Sequence, residues 1–169
     1  MDVYDAVRTV SENARAKHYA CMKHYRGRWI ITADTIVEFG GRCLGKPADM
    51  QEAKRMLTGY SGKSQHVFTA VAFSTPDMTE PEIRIEGSSV SFLEITSELA
   101  DKYLGLIEDP LGRAGAYDID SYREMIIGSF NGSYTNVMGL PAETTADWLV
   151  SHGYPLSRKK TDEDVFTAE

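Results

Sequence analysis

The stretch Trp29-Ile30-Ile31-Thr32-Ala33-Asp34-Thr35-Ile36-Val37-Glu38-Phe39-Gly40-Gly41-Arg42-Cys43-Leu44-Gly45-Lys46-Pro47 decides how the chain folds. Trp29 to Ala33 is a short apolar run, read as a buried strand. It is apolar enough to predict a neighbouring strand on each side. Asp34 stands at the carboxyl end of that run. Thr35 to Phe39 alternates, as a half-buried strand does. Gly40-Gly41 is a good two-residue hairpin turn, because both central residues of a type I′ turn need positive φ. Arg42 to Lys46 returns as the second arm, and Pro47 biases Lys46 toward an extended backbone. The hairpin guarantees at least one antiparallel pair.

Upstream, apolar residues at Val3, Val7, Val10 and Ala14 recur every three or four positions. They predict a helix from about Asp2 to Tyr25, closed by Gly27. Downstream, Asp49 and Glu52 form a capping-box-like pair. The helix they open turns Ala53, Met56 and Leu57 inward and stops at Gly59. Gln65 to Ser74 alternates as a strand, with Val67, Thr69, Val71 and Phe73 on one face. Ile83, Ile85, Val90 and Phe92 suggest two strand pieces broken at Gly87, a bulge. Leu99, Tyr103 and Ile107 make a short helical stripe, Arg123 to Ile127 a strand, and Phe130 to Pro141 a Gly-punctuated loop. A last helix runs from about Ala142 to His152 and ends at Gly153. Strands and helices interleave, so the class is α/β or α+β with a mixed sheet. Residues 1–156 read as a single domain and 157–169 as a charged, frayed tail.

Composition sets the outer limits. The 169 residues carry 18 basic and 25 acidic side chains, a net charge of −7, with 42% hydrophobic residues. A chain of this size buries enough surface to fold without a staple. Such acidity argues against a nucleic acid polymer as main partner, because phosphate neutralisation needs clustered Lys and Arg. It does not exclude a small anion held by a few local cations. No stretch approaches the 18 apolar residues of a membrane span, and no signal peptide opens the chain. Cys21 and Cys43 stand in no metal-like or redox spacing, which predicts a reduced, cytoplasmic protein.

Three features carry chemistry. Asp34, directly after a buried strand, sits where open α/β sheets bind ligands. It reads as a metal ligand, a general base, or a turn Asp bonding its own backbone. Lys46 ends the hairpin arm returning from Asp34, and reads as a phosphate contact or a solvated surface Lys. Gly128 to Pro141 places six hydrogen-bonding side chains among glycines. It reads as backbone that approaches an anion or a base, or as a plain connector. His18, His24, His66 and His152 are scattered and take no role.

In order along the chain stand Ala33-Asp34-Thr35 with Val37, Leu44-Gly45-Lys46-Pro47, Glu52-Ala53 with Leu57, and Ser61-Gly62. Val67-Phe68-Thr69-Ala70-Val71 and Arg113-Ala114-Gly115-Ala116-Tyr117 come next. Gly132-Ser133-Tyr134-Thr135-Asn136-Val137 with Gly139-Leu140-Pro141 closes the series. Together they resemble the Maf family of nucleotide pyrophosphatases, from about Tyr4 to Gly153. The resemblance implies a two-lobed mixed sheet with flanking helices around a central cleft, as in inosine-triphosphatase-like enzymes. It implies hydrolysis of a nucleoside triphosphate between the α and β phosphates, with a divalent cation, Mg²⁺ or Mn²⁺. Asp34 then matches the catalytic, metal-binding Asp, Lys46 a phosphate-contacting Lys, and Thr35 a position tied to substrate choice. A homodimer is a form the family takes, but no interface is legible here.

Three departures stand against that pattern. The family's opening strand and Ser-x-Ser-Pro-Arg-Arg loop do not precede the first helix, and the expectation is that the native protein begins upstream of Met1. The first helix places Asn13 before Ala14 where a Lys is usual, so a cation is lost, although Arg15 and Lys17 lie nearby. Asp120 follows Ile119 where the branch acting on UTP and dTTP usually has Gln. A Gln both donates and accepts, whereas an ionised Asp only accepts. These departures also admit an alternative: a non-catalytic, nucleotide-binding Maf-like protein linked to cell-division control.

Overall fold

The computed structural model describes residues 3–156; the charged tail expected at 157–169 lies outside them. Helix α1 (Val3–His24) leads through Gly27, at φ +68°, into strand β1 (Ile30–Phe39). Strand β2 (Arg42–Leu44), helix α2 (Met50–Tyr60), and strands β3 (Ser64–Ser74) and β4 (Glu82–Phe92) follow. Helix α3 (Ser97–Leu104), three short 3₁₀ turns between 110 and 125, strand β5 (Ile127–Asn131), and helices α4 (Tyr134–Val137) and α5 (Ala142–Ser151) complete the order.

The five strands form one sheet in the order β2-β1-β3-β4-β5. Every pairing is antiparallel, so the expected mixture of strand directions is corrected. The reason is the connections. Gly40-Gly41, at φ +59° and +79°, closes the β1–β2 hairpin. The short link from residue 75 to 81 turns β3 directly into β4, leaving no helix to carry the chain over for a parallel return. The apolar run and the alternating run also fuse into one ten-residue strand. Asp34 therefore lies in the middle of β1, opposite Ala70, and not at a strand end. Among the described residues, 30–36 pair with β3 alone, so the predicted second neighbour of that stretch is not found there.

Both faces of the sheet are covered. On one, α1 lies close because its stripe meets small side chains: Val10 and Ala14 pack on Ala70 and Ala72, with Ile36 and Phe68 alongside. The buried stripe runs through Ala6, Val10, Ala14 and His18. On the other face, α2 and α3 bring Leu57, Tyr60 and Tyr103 onto Val37, Val67 and Val90. Helix α5 adds Trp148 and Leu149 against Val71 and Phe73. Asp49 caps α2 by accepting from Glu52 N at 2.7 Å, worth about 1 kcal/mol. Glu52 reaches back to Ala48 N at 2.7 Å, one residue beyond the Asp49 amide that a reciprocal box would use.

Three further expectations are corrected. Strand β4 runs unbroken through Gly87. A Cβ there would meet the Phe68 ring at 3.1 Å, so the glycine makes room for a cross-strand aromatic and not for a bulge. The strand expected at Arg123–Ile127 begins at Ile127, because 123–125 form a 3₁₀ turn entered through Tyr122 at φ +55°. The predicted loop from Phe130 contains the end of β5 and all of α4.

Candidate active site

Successive residues of a strand point to opposite faces, and this divides the site at Asp34–Thr35. Asp34 emerges on the α1 face. Its Oδ1 pairs with Lys17 Nζ at 2.6 Å and its Oδ2 accepts from Asn13 Nδ2 at 2.9 Å. Asn13 and Lys17 are four apart on α1, so one helical face delivers both. Lys17 Nζ also donates to Ala33 O at 3.1 Å. The cation marked as lost at Asn13 is thus present one turn on, at Lys17. The i, i+4 spacing was the sequence signal for it. The Asp34 carboxylate is 16% exposed, so it is accessible and held on both oxygens.

Thr35 emerges on the opposite face. Its hydroxyl lies 2.9 Å from the Thr69 hydroxyl and 3.4 Å from Gly139 O. Thr69 in turn donates to Asn136 O at 3.1 Å. Buried Asn136 donates to Ser88 Oγ at 2.8 Å and Val67 O at 3.2 Å. These bonds pin the segment 133–139 onto β3 and β4. Gly139, at φ +105°, keeps that backbone close: a Cβ would sit 3.3 Å from the Thr35 hydroxyl.

Between this segment and the loop 113–120 lies a cavity of about 360 Å³, lined by Thr35, Arg113, Tyr117, Asp118, Asp120 and Met138 among others. Thr35 and Asp120, 85 positions apart, share it. The loop that carries Asp120 is braced at several points. Arg113 Nη2 pairs with the buried Asp118 Oδ2 at 2.9 Å, and Asp120 N donates to Asp118 Oδ1 at 2.9 Å. Tyr103 accepts from Asp118 N at 2.9 Å and donates to Asp118 O at 3.1 Å. Burial pushes the Tyr103 hydroxyl up to about 12, so it stays a donor. Tyr134 donates its hydroxyl to Asp120 Oδ1, and that carboxylate raises the Tyr134 pKa. Sequence reading missed Lys17, Arg113, Asp118, Asn136 and Tyr134 as parts of the site.

Lys46 follows β2, and its predecessor Gly45 accepts from Gly115 N at 3.1 Å. This ties the Lys46 backbone to the cavity loop. Its side chain is exposed and makes no bond among the described residues. The structure therefore joins Asn13 to Asp34, and Thr35 to Asp120, whereas Lys46 contacts neither pair and is tied to the cavity loop only through the Gly45 backbone. No group of three or more metal-ligating side chains occurs among the described residues.

A protein-family model described as Maf-like protein matches residues 3–152. The chain belongs to the Maf family. Among Maf relatives, one from Symbiobacterium thermophilum is 39% identical over 147 residues, 87% of this chain and 74% of the relative. One from Halalkalibacterium halodurans is 38% identical over 145 residues, 86% and 75% respectively. One from Acholeplasma laidlawii is 33% identical over 148 residues, 88% and 75%. Each of the three is named a dTTP/UTP pyrophosphatase. The Maf match spans α1 through α5, so both halves of the candidate site lie within it. Among the described residues, no helix is long and apolar enough to cross a membrane.

Proposed function

We propose that this Maf protein hydrolyses a nucleoside triphosphate of the dTTP/UTP class to the monophosphate and pyrophosphate. The observation that carries the reading is the Asp34 carboxylate, fixed by Lys17 and Asn13, one residue from a cavity shared by Thr35 and Asp120. With the base in that cavity, the chain of phosphates crosses β1 at Asp34–Thr35 to reach the carboxylate. The relatives' names support the substrate class.

Phosphoryl transfer needs charge neutralisation and an aligned nucleophile more than covalent help. Asp34 is the proton acceptor for the attacking water. The water oxygen bonds to the α phosphorus, the bond to the α–β bridging oxygen breaks, and pyrophosphate leaves with that electron pair. Lys17 holds the carboxylate in place and opposes its charge. Lys46 supplies a second fixed cation toward the phosphates in a protein of net charge −7. The donor set fits a divalent cation that arrives with the phosphates: Asp34 offers one carboxylate, and Mg²⁺ is commonly held by one or two carboxylates plus substrate oxygens. When bound, such an ion supplies charge neutralisation and lowers the pKa of its water. Asp120 completes base choice. Its Oδ1 is taken by Tyr134, and its Oδ2 accepts from the N3–H of uracil or thymine. Cytosine lacks that proton.

The test is product analysis with UTP, dTTP and CTP in Mg²⁺ or Mn²⁺. Release of pyrophosphate and monophosphate from UTP and dTTP, with CTP at least tenfold slower, is expected. Orthophosphate as the first product contradicts the reading. Tight UTP binding without turnover favours the non-catalytic alternative.

A further inference from the structure

A cavity of about 650 Å³ lies where α1 ends, β1 begins and β3 turns into β4. Ile30 is on its wall, four residues and roughly 13 Å along β1 from Asp34. None of the residues assigned to the reaction lines it. Its volume falls in the range of small-molecule sites, roughly 300–1,000 Å³.

Charge distribution singles it out. From Ala14 to Ala33 the chain carries Arg15, Lys17, Lys23, Arg26 and Arg28 and no carboxylate, although the whole protein is at −7. Lys23, Arg26 and Arg28 line the cavity, no carboxylate lines it, and these three cations have no bonded partner among the described residues. The C-terminal end of α1 accounts for about half a negative charge. Three cations exceed what the helix end requires. The remaining walls are aromatic and apolar: Tyr19, Tyr25 and Met78 among them. Tyr19 commits its hydroxyl to Glu80, whereas Tyr25 is 57% exposed and free to stack. Exposed π faces beside guanidinium groups suit a planar aromatic ring attached to an anion.

We propose that this cavity is a second ligand site, taking a nucleoside phosphate: the ring against Tyr25 and Met78, the phosphate on Lys23, Arg26 and Arg28. The site stands apart from the catalytic reading and does not depend on it. The probe is AMP, whose purine is outside the class proposed for the Thr35–Asp120 cavity. It is titrated into the ¹⁵N-labelled full chain while amide resonances are followed. Saturable shifts confined to Tyr19–Arg28 and Thr75–Thr79 are expected, with Thr35 and Gly139 unmoved. The R26E/R28E variant alters two exposed, unbonded side chains, so it keeps the fold. It weakens AMP at least tenfold, as does Tyr25→Ala. Adenosine and inorganic phosphate each bind at least tenfold more weakly than AMP. Absence of saturable shifts in the two segments overturns the proposal. So does an undiminished response in R26E/R28E, or inorganic phosphate matching AMP.

Discussion

Asp34 and Thr35 are consecutive on β1, and their side chains leave the sheet on opposite faces, one to Lys17 and Asn13 and the other to Thr69 and Gly139. A single dipeptide thus links the proposed reacting carboxylate to the cavity proposed for the base. A shift of β1 by one residue exchanges the two faces. The pairing Asp34↔Ala70 and Thr35↔Thr69 is therefore as much a part of the site as the side chains themselves.

Lys17 is predicted to matter through Asp34. Lys17→Met removes the 2.6 Å ion pair and lowers kcat for UTP about tenfold to a hundredfold. Lys17→Arg restores part of it. Steady-state kinetics with both variants checks this. An unchanged kcat in Lys17→Met shows that the pair does not serve the reaction.

The brace beneath Asp120 is predicted to be structural and specific at once. Arg113→Met leaves the buried Asp118 carboxylate without its cation. A loss of about 1–3 kcal/mol in urea unfolding follows, together with a smaller UTP-over-CTP preference. The double variant Arg113→Met/Asp118→Asn recovers stability, since no charge is then left unpaired.

Much of this arrangement is legible in the sequence, and the failures are physical. The Gly40-Gly41 turn, the Asp49 cap and the ends of α1 and α5 follow from local chemistry, which short windows contain. Asp34 reads as a strand end because Asp34 and Thr35 interrupt the apolar run that Ala33 closes. In the fold, Thr32 bonds Ala14 O at 3.0 Å and Asp34 bonds α1, so polar groups sit inside β1 with partners 18 and 21 residues upstream. Gly87 read as a break because the ring that needs its space, Phe68, lies on another strand. Strand direction was misjudged for a related reason: interleaved helices suggest crossovers, and only the short link after β3 rules one out. Arg113 and Asp118 are invisible as a pair because an ion pair between two loop residues leaves no periodic signature.

Stability is predicted to fall in mild acid through His18. This ring is buried between Thr32 and Ser74, with Nε2 2.8 Å from Ser74 Oγ. Burial lowers its pKa, an effect that outweighs the opposing Ala72 backbone contact. The unfolded chain binds this proton near pH 6.5, the folded chain only at lower pH. Between those points the unfolded state holds more protons, so stability declines as pH drops below about 6.5. Tm measured from pH 7.5 to 5.5 should show the decline, and His18→Gln should flatten it.

Gly132 is predicted to be intolerant of a side chain. Its φ is +107°, and a Cβ would lie 2.6 Å from Ser88 Oγ and 3.0 Å from Gly87 O, which is backbone and cannot yield. Gly132→Ala should cost more than about 1 kcal/mol and loosen the Ser88–Asn136 bond that holds the 133–139 segment. Thermal unfolding alongside UTP KM reports both effects.

The most direct measurement is pyrophosphate release from UTP by Asp34→Asn. The amide keeps the shape and still accepts from Lys17, but it takes no proton from water. The expected result is a folded protein, with unchanged Tm within a few degrees, whose turnover is at least about a hundredfold slower. Turnover equal to that of the unaltered chain would show that Asp34 is not the proton acceptor.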